Sequence, residues 1–375
     1  MAGLSQENPL KNVFNQKVIS ELASRISKVY PNFASDKFLN IIKLRLDDLG
    51  FIERSNFLRD TLYDFLPNDP KISIQILIDS LGPELPNSSI AGLEGFTVMS
   101  LCSFVSKYGK EHFDLSMKAL YEMTKRFSAE GDLRTFIDID YEKSMSLLHL
   151  WCKDKSHHVR RLVSEGTRPR LPLAGRIPRF QKDPRPVIEL LDKLVTDESL
   201  YVRRSVANNI NDIAKDNPEI AVTTLKLWKK NPSSDVQWLV SHASRSLVKS
   251  GNKDVLGIFG VSSEIEIELK VFSIAKKKYR INDTLEIQFE IESKAKKEES
   301  LIIDYVIHFV KSNGKTKEKV FKLKKSSIKP RELIPISKKH KLINTSGRTH
   351  FPGRHMIELQ INGKRYGKVE FNLNE

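Results

Sequence analysis

The sequence predicts a multidomain protein: an all-α superhelix of HEAT-like repeats followed by an all-β, immunoglobulin-like sandwich. Three observations carry this. Apolar residues recur at helical spacing through residues 1–255, with short turns between segments. Within that stretch one ten-residue phrase returns three times. From about residue 264 the pattern turns from helical to alternating, and it stays so to residue 375. The expected domains are therefore 1–255, helical, and 264–375, β.

The first helices are read from Val18-Ile-x-x-Leu-Ala-x-x-Ile, Phe38-Leu-x-Ile-Ile-x-x-x-Leu and Leu58-x-x-x-Leu-x-x-Phe-Leu. Asp48-Asp-Leu-Gly50, Pro67-Asn-Asp-Pro70 and Leu81-Gly-Pro83 punctuate this part of the chain. Further helices are expected over 92–108, 112–127, 141–151, 159–166, 187–195, 202–215, 220–229 and 236–249. Antiparallel helix pairs at such a period stack into a solenoid.

The repeated phrase is Ser156-His-His-Val-Arg-Arg-Leu-Val-Ser-Glu165, then Ser199-Leu-Tyr-Val-Arg-Arg-Ser-Val-Ala-Asn208, then Ser233-Ser-Asp-Val-Gln-Trp-Leu-Val-Ser-His242. Stacked repeats align equivalent residues in columns. One column is Arg161, Arg204, Trp238, and the next is Glu165, Asn208, His242. At about 100° per residue, Val159, Val163, Val202, Val206, Val236 and Val240 form a buried stripe with Ile210, Ile213 and Leu247. Arg161, Arg204, Glu165, Asn208 and Asp212 fall on the opposite side of their helices, which predicts a solvent-facing position. Glu165 and Asp212 then share a face of adjacent helices, and two carboxylates converge with arginines on one concave surface.

Residues 167–186 interrupt the repeats with five prolines and five arginines. Proline forbids a continuous helix, so a basic loop is expected directly after the helix of Arg161 and Glu165. Beyond 264, strands are read at 265–272, 285–291, 301–310, 319–323, 334–336, 353–361 and 367–373. Asn313-Gly and Asn362-Gly mark hairpins. About seven short strands without cysteines fit a sandwich that lacks an inter-sheet disulfide.

Charge bounds the function. The chain of 375 residues carries 62 basic and 47 acidic residues, a net of +15. Residues 263–375 hold 25 basic and 15 acidic residues, so this part contributes +10. Such a balance favours an anionic partner. Cys102 and Cys152 make neither a disulfide framework nor a ligand pattern, which suits a reducing cytosol. The sequence shows no signal peptide, no apolar run that would span a membrane, and no metal-ligand cluster. A cytoplasmic monomer that needs no cofactor is expected.

The run Val159-Arg-Arg-Leu-Val-Ser-Glu-Gly-Thr-Arg-Pro-Arg-Leu-Pro172 resembles the DNA alkylation repair proteins of the AlkC subfamily, relatives of AlkD. So does Tyr201-Val-Arg-Arg-Ser-Val-Ala-Asn-Asn-Ile-Asn-Asp-Ile-Ala-Lys-Asp-Asn-Pro218. The resemblance covers the helical part, and the appended β-domain matches the longer members. It implies a glycosylase that excises cationic N3-methylated bases, 3-methyladenine chiefly and 3-methylcytosine with it, from double-stranded DNA. It also implies that the lesion is reached without an extrusion pocket. Glu165 and Asp212 match the family's active-site acids, and Arg161 matches the arginine one turn earlier. The family's usual tryptophan after Leu-Pro is here Leu173. Trp151, Phe180 and Trp238 are the candidate aromatics in its place.

The chemistry fits those residue types. A methylated cationic base leaves readily, so the barrier is the oxocarbenium-like sugar, which carboxylates steady. One acid can also hold the attacking water. Arg161 would brace a carboxylate or hold a phosphate. The helix starts near Ser156, Ser199 and Ser233 are expected anion sites. Lys155, His157, Arg168, Arg170, Arg203, Arg204, His242 and Arg245 are expected DNA contacts. The runs 276–280 and 315–341, the latter with eleven basic and two acidic residues, suggest an accessory clamp. Two other readings fit the same features: a helical scaffold that holds DNA without cutting it, favoured by Leu173, and a groove for an acidic peptide.

Overall fold

A computed structural model describes residues 10–86, 95–345 and 348–374. The amphipathic segments form helices α1 (Gln16–Val29), α2 (Ser35–Arg45), α3 (Phe51–Phe65), α4 (Pro70–Asp79), α5 (Phe96–Tyr108), α6 (Phe113–Thr124), α7 (Leu133–Ile139) and α8 (Tyr141–Trp151). They continue as α9 (His157–Gly166), α10 (Pro178–Lys182), α11 (Arg185–Leu194), α12 (Leu200–Ile213), α13 (Pro218–Trp228), α14 (Ser234–Ala243), α15 (Arg245–Lys249) and α16 (Lys253–Ile258). Short helices α7 and α10 have too few residues to show a period and were not expected. The helix expected over 236–249 is interrupted at Ser244. Of the one expected over 92–108, residues 92–94 lie outside the described residues.

The valine stripe is buried as expected. Val159, Val163, Val202, Val206 and Val240 are wholly enclosed. Helices α9, α12 and α14, which carry the three copies of the repeated phrase, pack side by side. The first polar position after the leading valine explains how. Arg160 Nη1 donates to the carbonyls of Asp154 (2.9 Å) and Lys155 (3.2 Å). Arg203 Nη1 donates to those of Asp197 (2.7 Å) and Glu198 (2.9 Å). Gln237 Nε2 donates to the carbonyl of Asn231 at 2.5 Å. In each repeat this side chain reaches back to the turn before its own helix. The arginines also reach the next repeat: Arg160 pairs with Asp197 at 2.6 Å and Arg203 with Asp235 at 2.8 Å. Arg203, expected to meet DNA, is instead a buried structural clip.

At each of the expected anion sites one N–H, that of the serine itself, is taken up from within. Asp154 Oδ1 accepts the Ser156 N–H at 2.7 Å, Asp197 Oδ1 that of Ser199 at 2.8 Å, and Asn231 Oδ1 that of Ser233 at 2.9 Å. An N–H held by an acidic or amide side chain is not open to a phosphate.

The described residues divide into two compact units, one of residues 1–221 and 231–243, the other of residues 222–230 and 244–375. The division does not fall at 255. The second unit holds two sheets. One is ordered β1 (Ile267–Ile274), β3 (Thr284–Ser293), β6 (Leu333–Lys341). The other is ordered β2 (Lys278–Arg280), β8 (Lys364–Asn374), β7 (Gly353–Ile361), β4 (Glu299–Val310), β5 (Thr316–Ile328). All neighbours are antiparallel except β2 with β8. The alternating pattern of β3 places Leu285, Ile287, Phe289 and Ile291 in the core against Ile303, Tyr305 and Ile307 of β4. β4 is buried on both faces because Ile302 packs with Leu256 and Val261 from the residues just before the sheets. That is why α16 groups with the strands. The Asn362-Gly turn joins β7 to β8 as expected. A Cβ on Gly363 would lie 2.1 Å from the Gly251 Cα, so both positions need glycine.

Candidate active site on helices α9 and α12

Six charged side chains alternate in sign along α9 and α12. Glu130, in the turn before α7, accepts from Arg161 Nη1 at 2.8 Å. The other end of the Arg161 fork lies 3.8 Å from Glu165 Oε1. Arg168 Nη1 donates to that same Oε1 at 2.5 Å, and Arg168 Nε donates to Asp212 Oδ2 at 2.8 Å. Lys215 Nζ completes the row on Asp212 Oδ1 at 2.7 Å. The second oxygen of Glu165 accepts from the Ser205 hydroxyl at 2.5 Å. The Tyr201 ring lies under the Arg161 guanidinium at 4.7 Å. Glu165 and Asp212 thus come together as expected, joined through Arg168.

Their exposure is not as expected. Glu165 is 5% and Asp212 2% exposed, so neither faces solvent. A helical wheel ranks the faces of one helix and knows nothing of what covers them. Here the chain leaving α9 folds back, and Arg168 enters the space between the two acids. Asn209 fastens the same turn, donating from Nδ2 to the Ser164 carbonyl at 2.7 Å. Arg168, expected to touch DNA, is therefore the buried centre of the cluster. Arg170 is engaged too, its Nε on Asp216 at 2.7 Å.

Charge is sustained in spite of burial. Burial pushes the Glu165 carboxyl up, but Arg161 and Arg168 beside it, with the Ser205 hydrogen bond, outweigh this and hold it below the usual carboxylate range. Arg161 is likewise pulled down by burial and raised further by Glu130 and Glu165, so it stays a cation. The result is a fixed, preorganised field in a place with little water. That is the arrangement which stabilises charge appearing during a reaction.

The family described as "Uncharacterised protein YhaZ, C-terminal Ig-like domain" matches residues 268–375. The uncharacterized protein YhaZ of Bacillus subtilis (strain 168) is 34% identical over 366 residues, 97% of this chain and 99% of the relative. A solved structure of Pseudomonas fluorescens alkylpurine DNA glycosylase AlkC, bound to DNA containing an abasic site analog, is also 34% identical. It aligns with a TM-score of 0.87 over 98% of this chain and 99% of its own. This chain belongs to the AlkC family. The match takes in both the helical region and the C-terminal immunoglobulin-like domain of this chain.

Against this AlkC framework the other expected contacts separate by position. Lys155 and Arg204 are exposed. His157 is buried, its Nδ1 3.0 Å from the Ser199 hydroxyl and its Nε2 3.2 Å from His158. It is a packing residue beneath Tyr201 rather than an outward contact. His242 stacks on Trp238 with ring centroids 5.2 Å apart, and Trp238 keeps 37% exposure. Arg245 belongs to the other compact unit. Among the candidate aromatics, Phe180 is fully buried. Trp151 packs on Tyr121 at 5.5 Å. Leu173 is 87% exposed and sits at φ 62°, a left-handed conformation that costs a leucine about 1–2 kcal/mol.

Glu130, Ser205, Tyr201 and Lys215 were not singled out from the sequence. Lys215 follows Asp212 at i+3 and was legible as a pair; Ser205 and Tyr201 lie within the repeated phrase. Glu130 carries no local signal, since α7 and its flanking turn have no period. In the other unit, His308, Glu318 and Glu358 bring ligand atoms within 4.8 Å of one another, a grouping the linear sequence hid. Arg365 already pairs there with Glu318 at 3.1 Å and Glu358 at 3.4 Å. No helix among the described residues is long and apolar enough to cross a membrane.

Proposed function

We propose that this protein is a DNA N-glycosylase that releases cationic N3-alkylated bases, 3-methyladenine and with it 3-methylcytosine, from double-stranded DNA. The observation that carries the reading is the row Glu130–Arg161–Glu165–Arg168–Asp212–Lys215, buried at Glu165, Arg168 and Asp212. Its kinship with a glycosylase solved on abasic-site DNA supports it. A methylated base is already a cation and leaves without being protonated or drawn off by a Lewis acid. What remains is to steady the sugar as it becomes an oxocarbenium ion, the task carboxylates perform in glycoside cleavage.

Asp212 takes this task. Arg168 holds one of its oxygens, and Lys215, on a partly exposed flexible stem, holds the other. A duplex phosphate competes for the Lys215 ammonium. Once Lys215 turns to it, Asp212 Oδ1 is free to face the sugar, while Arg168 keeps the carboxylate aimed. Glu165, fixed by Ser205 and Arg168, supplies the second negative charge, and one of the two acids holds the attacking water. Arg161 braces Glu165 and Glu130. Lys155, Arg204 and the outer edge of Trp238 face the duplex beside this site. The exposed Leu173 gives an apolar contact where an aromatic would otherwise stand. Lysines of 276–280 and 315–341 bind phosphates in the β-unit. The protein acts as a cytosolic monomer.

The test is base release from a methylated duplex. Wild type releases free 3-methyladenine in the presence of a metal chelator, and Asp212→Asn loses nearly all of that release while still binding the duplex. The burial of both acids favours a second reading, a repeat scaffold that holds DNA and cuts nothing. Salt-sensitive binding with no base released by wild type would establish that one instead.

A further inference from the structure

We propose that Arg134 is a positioning residue of this site: it fastens the backbone on both sides of Arg168 and so sets the cation that lies between Glu165 and Asp212. The inference rests on the glycosylase reading and extends it to a residue outside the charged row.

Arg134 sits on α7, and only 5% of it is exposed. Its Nη1 donates to the carbonyl of Gly166 at 3.1 Å and to that of Arg168 itself at 2.7 Å. Its Nη2 donates to the carbonyl of Gly175 at 2.5 Å. One guanidinium thus ties the end of α9, the Arg168 peptide and the far side of the loop. Between those carbonyls lie Pro169 and Pro172, whose rings fix φ, and the Ile177 N–H returns to the Pro169 carbonyl at 3.4 Å. The neighbouring Leu133 makes the approach possible. A Cβ on Gly166 would lie 2.6 Å from Leu133 Cδ2, so glycine at the end of Ser-Glu-Gly lets α7 come this close.

This is a costly way to hold a loop. Burial pulls the Arg134 guanidinium down to about 10, and the nearby Arg168 charge adds to that. A planar fork with fixed directions, however, places the Arg168 peptide in a way a lysine's single ammonium cannot. Displacements of about 1 Å in a preorganised site cost on the order of 10²-fold in rate.

The experiment is single-turnover excision of 3-methyladenine by wild type, Arg134→Lys, Arg168→Lys and the double variant. Duplex affinity is measured in parallel on abasic-analogue DNA, and all assays run well below the lowest melting temperature. Arg134→Lys is expected to slow excision at saturating protein by about 10- to 100-fold, with affinity within about twofold of wild type. The double variant is expected to be no slower than Arg168→Lys alone, because Arg134 acts through Arg168. If Arg134→Lys folds poorly, Arg134→Gln takes its place in the same cycle. An unchanged rate, a rate loss matched by lost affinity, or effects that multiply in the double variant would each overturn the proposal. A wild type that releases no base overturns the glycosylase reading as well. An active wild type with an equally active Arg134→Lys overturns this one alone.

Discussion

Arg161 and Arg204 hold the same place in neighbouring helices. Arg161 lies among Glu130, Glu165 and the Tyr201 ring, whereas Arg204 stands in solvent. The residues just before them, Arg160 and Arg203, behave alike, each clipping its own turn and an aspartate of the next repeat. A repeated Val-Arg-Arg therefore contains one structural arginine and one whose role is set by its surroundings. The repeat fixes direction on the superhelix. The loop after α9 then draws one copy into a charged cluster and leaves the other at the surface.

The comparison breaks most easily at the acids. Asp212→Asn and Glu165→Gln should each lower single-turnover base release by about 10²–10³-fold, while Asn208→Ala, at the place in α12 that Glu165 holds in α9, should leave it within about twofold. Equal effects at Glu165 and Asn208 would show that position in the repeat, not the enclosed charge, matters.

Next in size is the clip. Arg160→Ala strands the enclosed Asp197 carboxylate and should cost about 3 kcal/mol in urea unfolding. Arg203→Ala leaves an exposed Asp235 and should cost clearly less, chiefly through the lost carbonyl bonds. A larger loss at Arg203 would contradict the shared geometry.

Arg161→Ala should reduce excision by at least about tenfold, since two carboxylates lose their common cation. Arg204→Ala should spare the chemical step and instead lower the salt dependence of duplex binding by about one unit of slope. Titration of both in a salt series separates the two roles.

The smallest effect is with pH. The folded-state pKa of Glu165 lies below its unfolded value, so its ionised form, and the stability it brings, are present above the unfolded pKa and are lost as pH falls through the folded one. Between about pH 7 and 5.5, above the ordinary glutamate range, the excision rate should therefore show no loss attributable to Glu165. An acid limb in that window that disappears in Glu165→Gln would mean that Arg161 and Arg168 do not hold its charge.

Legibility followed the length scale of each signal. The valine stripe, the three adjacent repeat helices and the two-sheet domain were all visible, because period is a property of contiguous residues. The pairing of Glu165 with Asp212 was visible because a repeat relates two helices by a fixed step. Their burial was not. It depends on Arg168 turning back over α9, on Arg134 meeting three carbonyls, and on a short helix without a period bringing Glu130 to Arg161. Arg168 and Arg203 read as DNA contacts because a run of arginines reads as a basic surface. In both cases burial and a carboxylate distant in sequence claim the side chain.

What the amino-acid order alone determined is periodicity: where helices and strands run, which face of each is apolar, and that neighbouring repeats align their polar residues. Tertiary structure decided which of those polar residues are enclosed, since desolvation and ion pairing depend on neighbours many positions away. A charge becomes part of a site or part of a surface only when the rest of the chain has closed around it or left it in water.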